Sequence, residues 1–226
     1  MVKWNNTDFS SKGIIVEKTP TISKGKKRIE TYTIDGRNGF LSIDRNTYEP
    51  FSVSVECHAK ETANFDEIKS FLDGYGTLTF DNQREYTAII NNAIPFEKVQ
   101  MFKSFVVQFM VNPIAHDINA TTINLLNDLD ANDRFTITGA TAMMYPTITI
   151  TCSGDVEITI NNKTFSLDDA DGTYILDCEN KVITSNGVNA SNIMSGDFPT
   201  FINGTNEVET TGTISVLSAS YKKAYL

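Results

Sequence analysis

His58 and His116 are the only histidines in the 226 residues. A serine or cysteine nucleophile would have to draw its base from one of them, within hydrogen-bond reach. Neither stands near a G-x-S-x-G elbow. His58 directly follows an alternating run that ends at Cys57, so it reads as a strand-end residue. Asp128-x-Asp130-x-Asn132 opens like a calcium loop, in which alternate side-chain oxygens surround the ion. The sixth position is Asp133 where the turn needs Gly, and the twelfth is Gly139 where the ion needs a bidentate Glu. Asp168, Asp169 and Asp171 beside Gly172 read as a solvated turn rather than a metal site. Gly74-Tyr75-Gly76 follows a helical pattern and lacks the third Gly of a dinucleotide loop. Cys57, Cys152 and Cys178 lack zinc spacing. Odd in number and far apart, they read as reduced, buried thiols. No catalytic, metal-binding or cofactor-binding residue is assigned, and the chain is expected to be no enzyme and to carry no cofactor.

Two other stretches stand out. Lys24 to Arg28, KGKKR, places four charges in five residues at Lys24, Lys26, Lys27 and Arg28. It could meet a phosphate or nucleic acid. The solvated tip of a hairpin is the preferred reading, because charge runs are generally solvated. "SGDFPTFINGTNEV", Ser195 to Val208, has no His, Lys, Arg or Cys with which to do chemistry. Pro199 holds Phe198 extended. Phe198 and Phe201 would each contribute roughly 1.5–3 kcal/mol if buried. Gly196-Asp197 and Asn203-Gly204 read as turns. Phe198, Pro199, Asn203 and Gly204 are therefore expected to form a structural corner.

The elements around these stretches are mostly strands. Gly13–Glu17 is a short one, closed by Pro20. Ile29–Ile34 alternates, and the turn Asp35-Gly36-Arg37-Asn38-Gly39 follows. Phe51–Cys57 alternates strictly, as a half-buried strand does. Asn64 can cap one helix, with Glu67 reaching back to the cap's N–H, and Phe65, Ile68, Phe71 and Leu72 form its apolar face. Strands are expected at 76–80, 85–91 and 103–110, and Asn112-Pro113 then breaks the pattern. Residues 115–133 are polar and read as a connection, with a strand expected at 121–126. The rest is a meander, 147–151, 156–160, 165, 174–178, 181–184, 207–210 and 213–221, with Asn161-Asn162 as a two-residue turn.

Charge divides unevenly. Residues 1–119 balance at −1 and residues 120–226 at −8, which suggests two domains and opposes nucleic-acid binding by the second. No apolar run is long enough to span a membrane, and the start MVKWNNTDFSS lacks a signal core, so a cytosolic product is expected.

The run "MMYPTITITCSGDVEITINNKTFSL" (143–167), then "YILDCENKVI" (174–183) and "SGDFPTFINGTNEV", resembles the C-terminal domain of siphophage distal tail proteins. "IDGRNGFL" (34–41), "TYEP" (47–50), "IKSFLDGYGTL" (68–78) and the strand ending at Asn112-Pro113 resemble the N-terminal domain of the same family. The segment "TGATAMM" before Tyr145-Pro146 departs from it, since members there usually carry an Asn and a small-residue turn. The resemblance implies a mainly β chain: an N-terminal β-sandwich with one α-helix and a protruding hairpin, plus a C-terminal galectin-like β-sandwich. It implies domains at 1–118 and 134–226 joined by a linker at 119–133. It also implies a structural phage or prophage protein, a hexameric hub, in one ring or stacked rings, joining the tail tube to the tail-tip apparatus for host attachment. Its partners would be further copies of itself, the major tail tube protein, the tail-associated protein and receptor-binding proteins. DNA would only pass through the channel, and no membrane is involved. The chain would be made in the bacterial host cytoplasm and reside at the virion tail tip. "TISKGKKRIETYT" (21–33) would lie near the protruding hairpin, making Lys24, Lys26, Lys27 and Arg28 candidate assembly residues.

The alternative is a carbohydrate-binding module or adhesin on a lectin-like sandwich. Sugar sites need a stacking aromatic with directed polar groups. The sole tryptophan is Trp4, and beyond residue 133 there is no His and only one Arg, Arg134. The hub reading is preferred on that ground.

Overall fold

A computed structural model describes residues 2–80, 83–94 and 103–226. It divides into two units, Met1–His116 with Leu226 and Asp117–Tyr225. Both are mainly β, with curled sheets of the β-sandwich kind.

In the first unit the strands are β1 (Lys3–Trp4), β2 (Thr7–Asp8), β3 (Ile14–Val16), β4 (Lys27–Tyr32), β5 (Leu41–Tyr48) and β6 (Phe51–Ala59), then β7 (Tyr75–Thr79), β8 (Arg84–Ile90) and β9 (Ser104–Asp117). The main sheet runs β2-β1-β7-β8-β9-β6-β3, and β4 and β5 form a two-stranded sheet of their own. The alternation of Phe51–Cys57 pairs inward residues with those of β9, Val53 with Phe109, Val55 with Val107 and Cys57 with Phe105. All six are buried. Trp4 lies 5.2 Å from Phe109, ring to ring, at the centre of this core.

β9 does not stop at Asn112-Pro113, as expected, but continues to Asp117. Its ladder with β6 ends at the Phe51–Val111 pair, so the missing N–H of Pro113 breaks no bond of that ladder. The helix α1 (Phe65–Phe71) starts where expected. Asn64 Oδ1 accepts from the N–H groups of Asp66 and Glu67. Glu67 takes the amide of the Asn64 side chain at 3.2 Å rather than the backbone N–H of the cap. Ile68 and Leu72 are buried.

The second unit contains β10 (Thr121–Asn124), β11 (Arg134–Ile137), β12 (Thr147–Ile160), β13 (Lys163–Asp177), β14 (Val182–Ser185), β15 (Val188–Asn189), β16 (Met194–Gly196), β17 (Gly204–Tyr221) and β18 (Ala224–Tyr225). Its sheet order is β10-β17-β12-β13-β14-β15, with β11 beside β17 and β16 beside β13. Strands expected as separate pieces are continuous. Residues 147–160 form one strand whose pairing with β13 shifts between Gly154 and Val156, and 204–221 form another. A bulge preserves the ladder while breaking the alternation by which a sequence reveals it. Asn161 and Asn162 have φ of 50° and 64°, the left-handed values a two-residue hairpin turn requires. Residues 119–133 are built into this unit: β10 pairs with β17 from Thr121–Tyr221 to Asn124–Ser218, and Leu125 is buried.

Candidate functional site

The KGKKR run is at the base of a hairpin and not at its tip. Lys26 O accepts from Glu49 N at 2.7 Å. A Cβ on Gly25 would sit 2.6 Å from Pro113 Cβ and 2.9 Å from Glu49 O, so only glycine fits this crossing. The tip is the Asp35–Gly39 loop, where Gly36 and Gly39 supply φ of 79° and 90°. The four cations play different parts. Lys27 forms an ion pair with Asp44, which holds the Lys27 ammonium above and the Asp44 carboxyl below their ordinary ranges. Lys24 Nζ lies 5.8 Å from the centre of the Tyr48 ring, on which Lys27 also stacks at 6.0 Å. Lys26 and Arg28 are exposed and make no ion pair among the described residues.

Above this base, every residue of β4 and β5 from Arg28 to Thr47 is exposed. The alternation in Ile29–Ile34 therefore does not mark a buried face. Pairing sets Glu30 opposite Ile43 and Tyr32 opposite Leu41. One face thus carries Tyr32, Leu41 and Ile43, each more than two-fifths exposed. Glu30 crosses the same pair of strands, taking both Nε and Nη2 of Arg45 at 3.1 Å and the Tyr32 hydroxyl at 2.9 Å. An isolated two-stranded sheet is marginal in water, and on this one the three apolar side chains share their face with the Glu30–Arg45 pair.

The corner in the second unit is held by Phe201, as expected, and by Asn206, which the sequence does not single out. Phe201 is fully buried, with edge contacts to Phe135 at 5.0 Å and Tyr221 at 5.4 Å. It exchanges two backbone hydrogen bonds with Met144, at 2.9 and 3.0 Å. Pro199 is buried and Phe198 only half-buried, its carbonyl accepting from Lys163 Nζ at 3.5 Å. Asn203 is exposed. The turn instead depends on Asn206, fully buried, whose Oδ1 accepts from Ile202 N at 2.9 Å and whose Nδ2 donates to the carbonyls of Ile202 and Gly204. Asn161 joins it from the β12–β13 turn, donating to Thr200 O at 2.9 Å and to Asn206 Oδ1 at 2.7 Å. The second Asn of "NGTN" looks like any turn residue in sequence, and only its return into the core distinguishes it.

The chemistry-bearing residues do not converge. His58 Nδ1 stands 3.1 Å from Ser104 Oγ, its cross-strand neighbour, and no second hydrogen bond orients the ring among the described residues. His116 lies in β9. Burial pushes the Cys57 and Cys178 thiols up to about 12 and raises that of Cys152, so all three stay protonated at neutral pH. Asp155 Oδ1 accepts from Asp169 N across the β12–β13 ladder at its bulge, and Asp130 Oδ1 accepts from Asn132 N and Arg134 N in the turn before β11. Asp168, Asp169 and Asp171 lie within β13 and not in the expected turn. Among the described residues no three His, Cys, Asp or Glu side chains group as a metal site. No described helix is long and apolar enough to cross a membrane.

No protein-family model matches the chain, and no curated protein sequence does. A solved structure does: the Dit protein of phage SPP1, described as a paradigm of the hub adsorption apparatus in phages infecting Gram-positive bacteria. The two align with a TM-score of 0.76 at 12% identity, covering 100% of this chain and 98% of that one. At that identity the likeness is one of fold.

Proposed function

We propose that the chain is a structural protein of a siphophage or prophage tail tip, a distal tail protein that forms a hexameric hub between the tail tube and the adsorption apparatus. The observation that carries this reading is the end-to-end fold likeness to the SPP1 hub protein. The galectin-like character of the second unit, and docking to a tail tube protein, a tail-associated protein and receptor-binding proteins, belong to the same reading. Two features of the chain support it. The hairpin β4–β5 offers an apolar face with no cover of its own, as an assembling subunit would. Among the described residues the three cysteines are buried and free, and no three His, Cys, Asp or Glu side chains group as a metal site.

Immunogold labelling tests it. Antibodies against the chain should mark the end of the tail distal to the capsid in particles of the phage that encodes it, and averaged images of that end should show six copies. Labelling of the capsid, or particles that lack the chain, overturns the reading.

A further inference from the structure

We infer that the tip of the β4–β5 hairpin is a site of spontaneous succinimide chemistry, with Asn38 its first product-forming residue. The chain has three Asn-Gly pairs, Asn38-Gly39, Asn186-Gly187 and Asn203-Gly204. Sequence alone makes them equivalent, since in each the absent Cβ of glycine leaves the backbone nitrogen open to the preceding side chain. The fold separates them. Asn38 and Gly39 are exposed, nothing lies within 4 Å of where a Gly39 Cβ would be, and the Gly39 N–H has no hydrogen bond among the described residues. Asn38 is also free of the left-handed backbone seen at Asn186. Asn186-Gly187 is locked in the turn between β14 and β15, with φ of 50° and 78° and Ser185 paired to Val188. Asn203-Gly204 is pinned at its second residue, which pairs with Ile137 and gives its carbonyl to Asn206.

The reaction needs only water. The Gly39 nitrogen gives its proton to hydroxide and attacks Asn38 Cγ. The new C–N bond closes the ring, the Cγ–Nδ2 bond breaks, and the leaving nitrogen takes a proton from water, restoring the hydroxide, and departs as ammonia. Water then opens the ring at either carbonyl, yielding aspartate or isoaspartate. Asp35-Gly36, three residues earlier on the same exposed tip, can form the same ring by losing water and regaining it. Closure requires the asparagine backbone to rotate until the next nitrogen faces Cγ. The tip permits that rotation. The turn at Asn186 and the ladder at Gly204 must open locally first. Conversion of Asn38 adds a negative charge beside Asp35, leaving Arg37 the lone cation of the tip.

Peptide mapping of the full chain held at mildly alkaline pH tests this, in native buffer and in concentrated urea. In native buffer Asn38 should convert roughly tenfold faster than Asn186 or Asn203, which corresponds to ~1.4 kcal/mol of barrier. In urea the three rates should converge, because the fold no longer separates them. Equal native rates, faster conversion at Asn186 or Asn203, or the same ordering in urea would each overturn the inference.

Discussion

Asn161 and Asn206 are 45 residues apart, yet the side-chain amide of one donates to the side-chain oxygen of the other at 2.7 Å. The contact ties the β12–β13 turn to the corner before β17, and Asn161 Oδ1 completes it by accepting from Glu207 N at 3.2 Å. Asn206→Ala should lower unfolding free energy by about 1–3 kcal/mol, because it strips partners from Ile202 N and from two carbonyls in a part-buried turn. Asn203→Ala, at an exposed residue without a side-chain hydrogen bond among the described residues, should stay within about 0.5 kcal/mol. Urea unfolding followed by far-ultraviolet circular dichroism measures both. Equal losses at the two positions would show that the corner depends on turn propensity rather than on the buried amide.

Local rules carried the sequence reading where structure is local. The Asn64 cap, the strict alternation at Phe51–Cys57 and the turn at Asn161-Asn162 are each specified by neighbours within a few residues. The misplacements share a different origin. The KGKKR run was set at a hairpin tip because charge favours solvent, but a base is also solvated, and the close approach of Gly25 to Pro113 spans 88 residues. Alternation at Ile29–Ile34 marks a strand, β4, but period two says nothing of what covers a face, and both faces of this one are exposed. The corner was recognised through Phe201. Asn206 was missed because burial of a polar side chain is decided by the fold around it.

The buried thiols set a pH and reagent signature. Cys57 and Cys178 have folded pKa values of about 12 against an ordinary 9.0. The folded state thus favours the protonated form. This contribution is fully present below pH 9.0 and is lost as pH rises from there through about 12. Stability should decline over that window and, with respect to these groups, stay flat below it. Iodoacetamide at pH 8 should leave both cysteines unmodified in the native protein and alkylate them in urea. Rapid native labelling of either would show that its strand opens readily.

The ion pair of Lys27 and Asp44 sets limits for the hairpin base. Asp44 is lowered by its hydrogen bond to Lys27, so its contribution is present above 3.8 and disappears as pH falls through the folded value. Lys27 is raised by the same bond, so its contribution is present below 10.5 and disappears as pH rises through the folded value. Amide exchange at Glu49, whose N–H donates to Lys26 O, should be slowest relative to its intrinsic rate between these limits. Asp44→Asn should remove the acid limb. An unchanged acid limb in that variant would assign it to another carboxylate.

The hairpin face supplies a test of assembly that leaves the subunit intact. Leu41→Asp and Ile43→Asp alter side chains that are 47% and 43% exposed, so each should shift stability by no more than about 0.5 kcal/mol. Both should prevent incorporation of the chain into particles, because an aspartate cannot be buried unpaired at an interface. Replacing the exposed Lys24, Lys26 and Arg28 with Ser should weaken assembly too, and the difference from the unsubstituted chain should shrink at high salt, where the attraction it removes is already screened. Normal infectious titre from the Asp variants would show that this face remains solvated in the virion.

The boundary of the second unit predicts which fragment folds. A fragment starting at 134 lacks β10 and leaves one edge of Ser218–Tyr221 in β17 unpaired, while β12 still pairs Ser218–Ser220 on the other. It also loses Leu125, which is buried and whose N–H donates to Leu217 O at 2.8 Å. Removing an apolar side chain of that size from a core costs about 2–5 kcal/mol, and an unpaired edge invites association between copies. The fragment 117–226 should therefore melt cooperatively as a monomer, and 134–226 should melt at lower temperature or aggregate. If 134–226 is equally stable, β10 is an ornament on β17 rather than part of its core. The same stable fragment, screened on immobilised glycans, should show no saturable binding, since its sheet offers no tryptophan and only one arginine, Arg134, already paired to Glu207 at 2.7 Å. A sugar bound with micromolar affinity would instead favour the carbohydrate-binding reading of this unit.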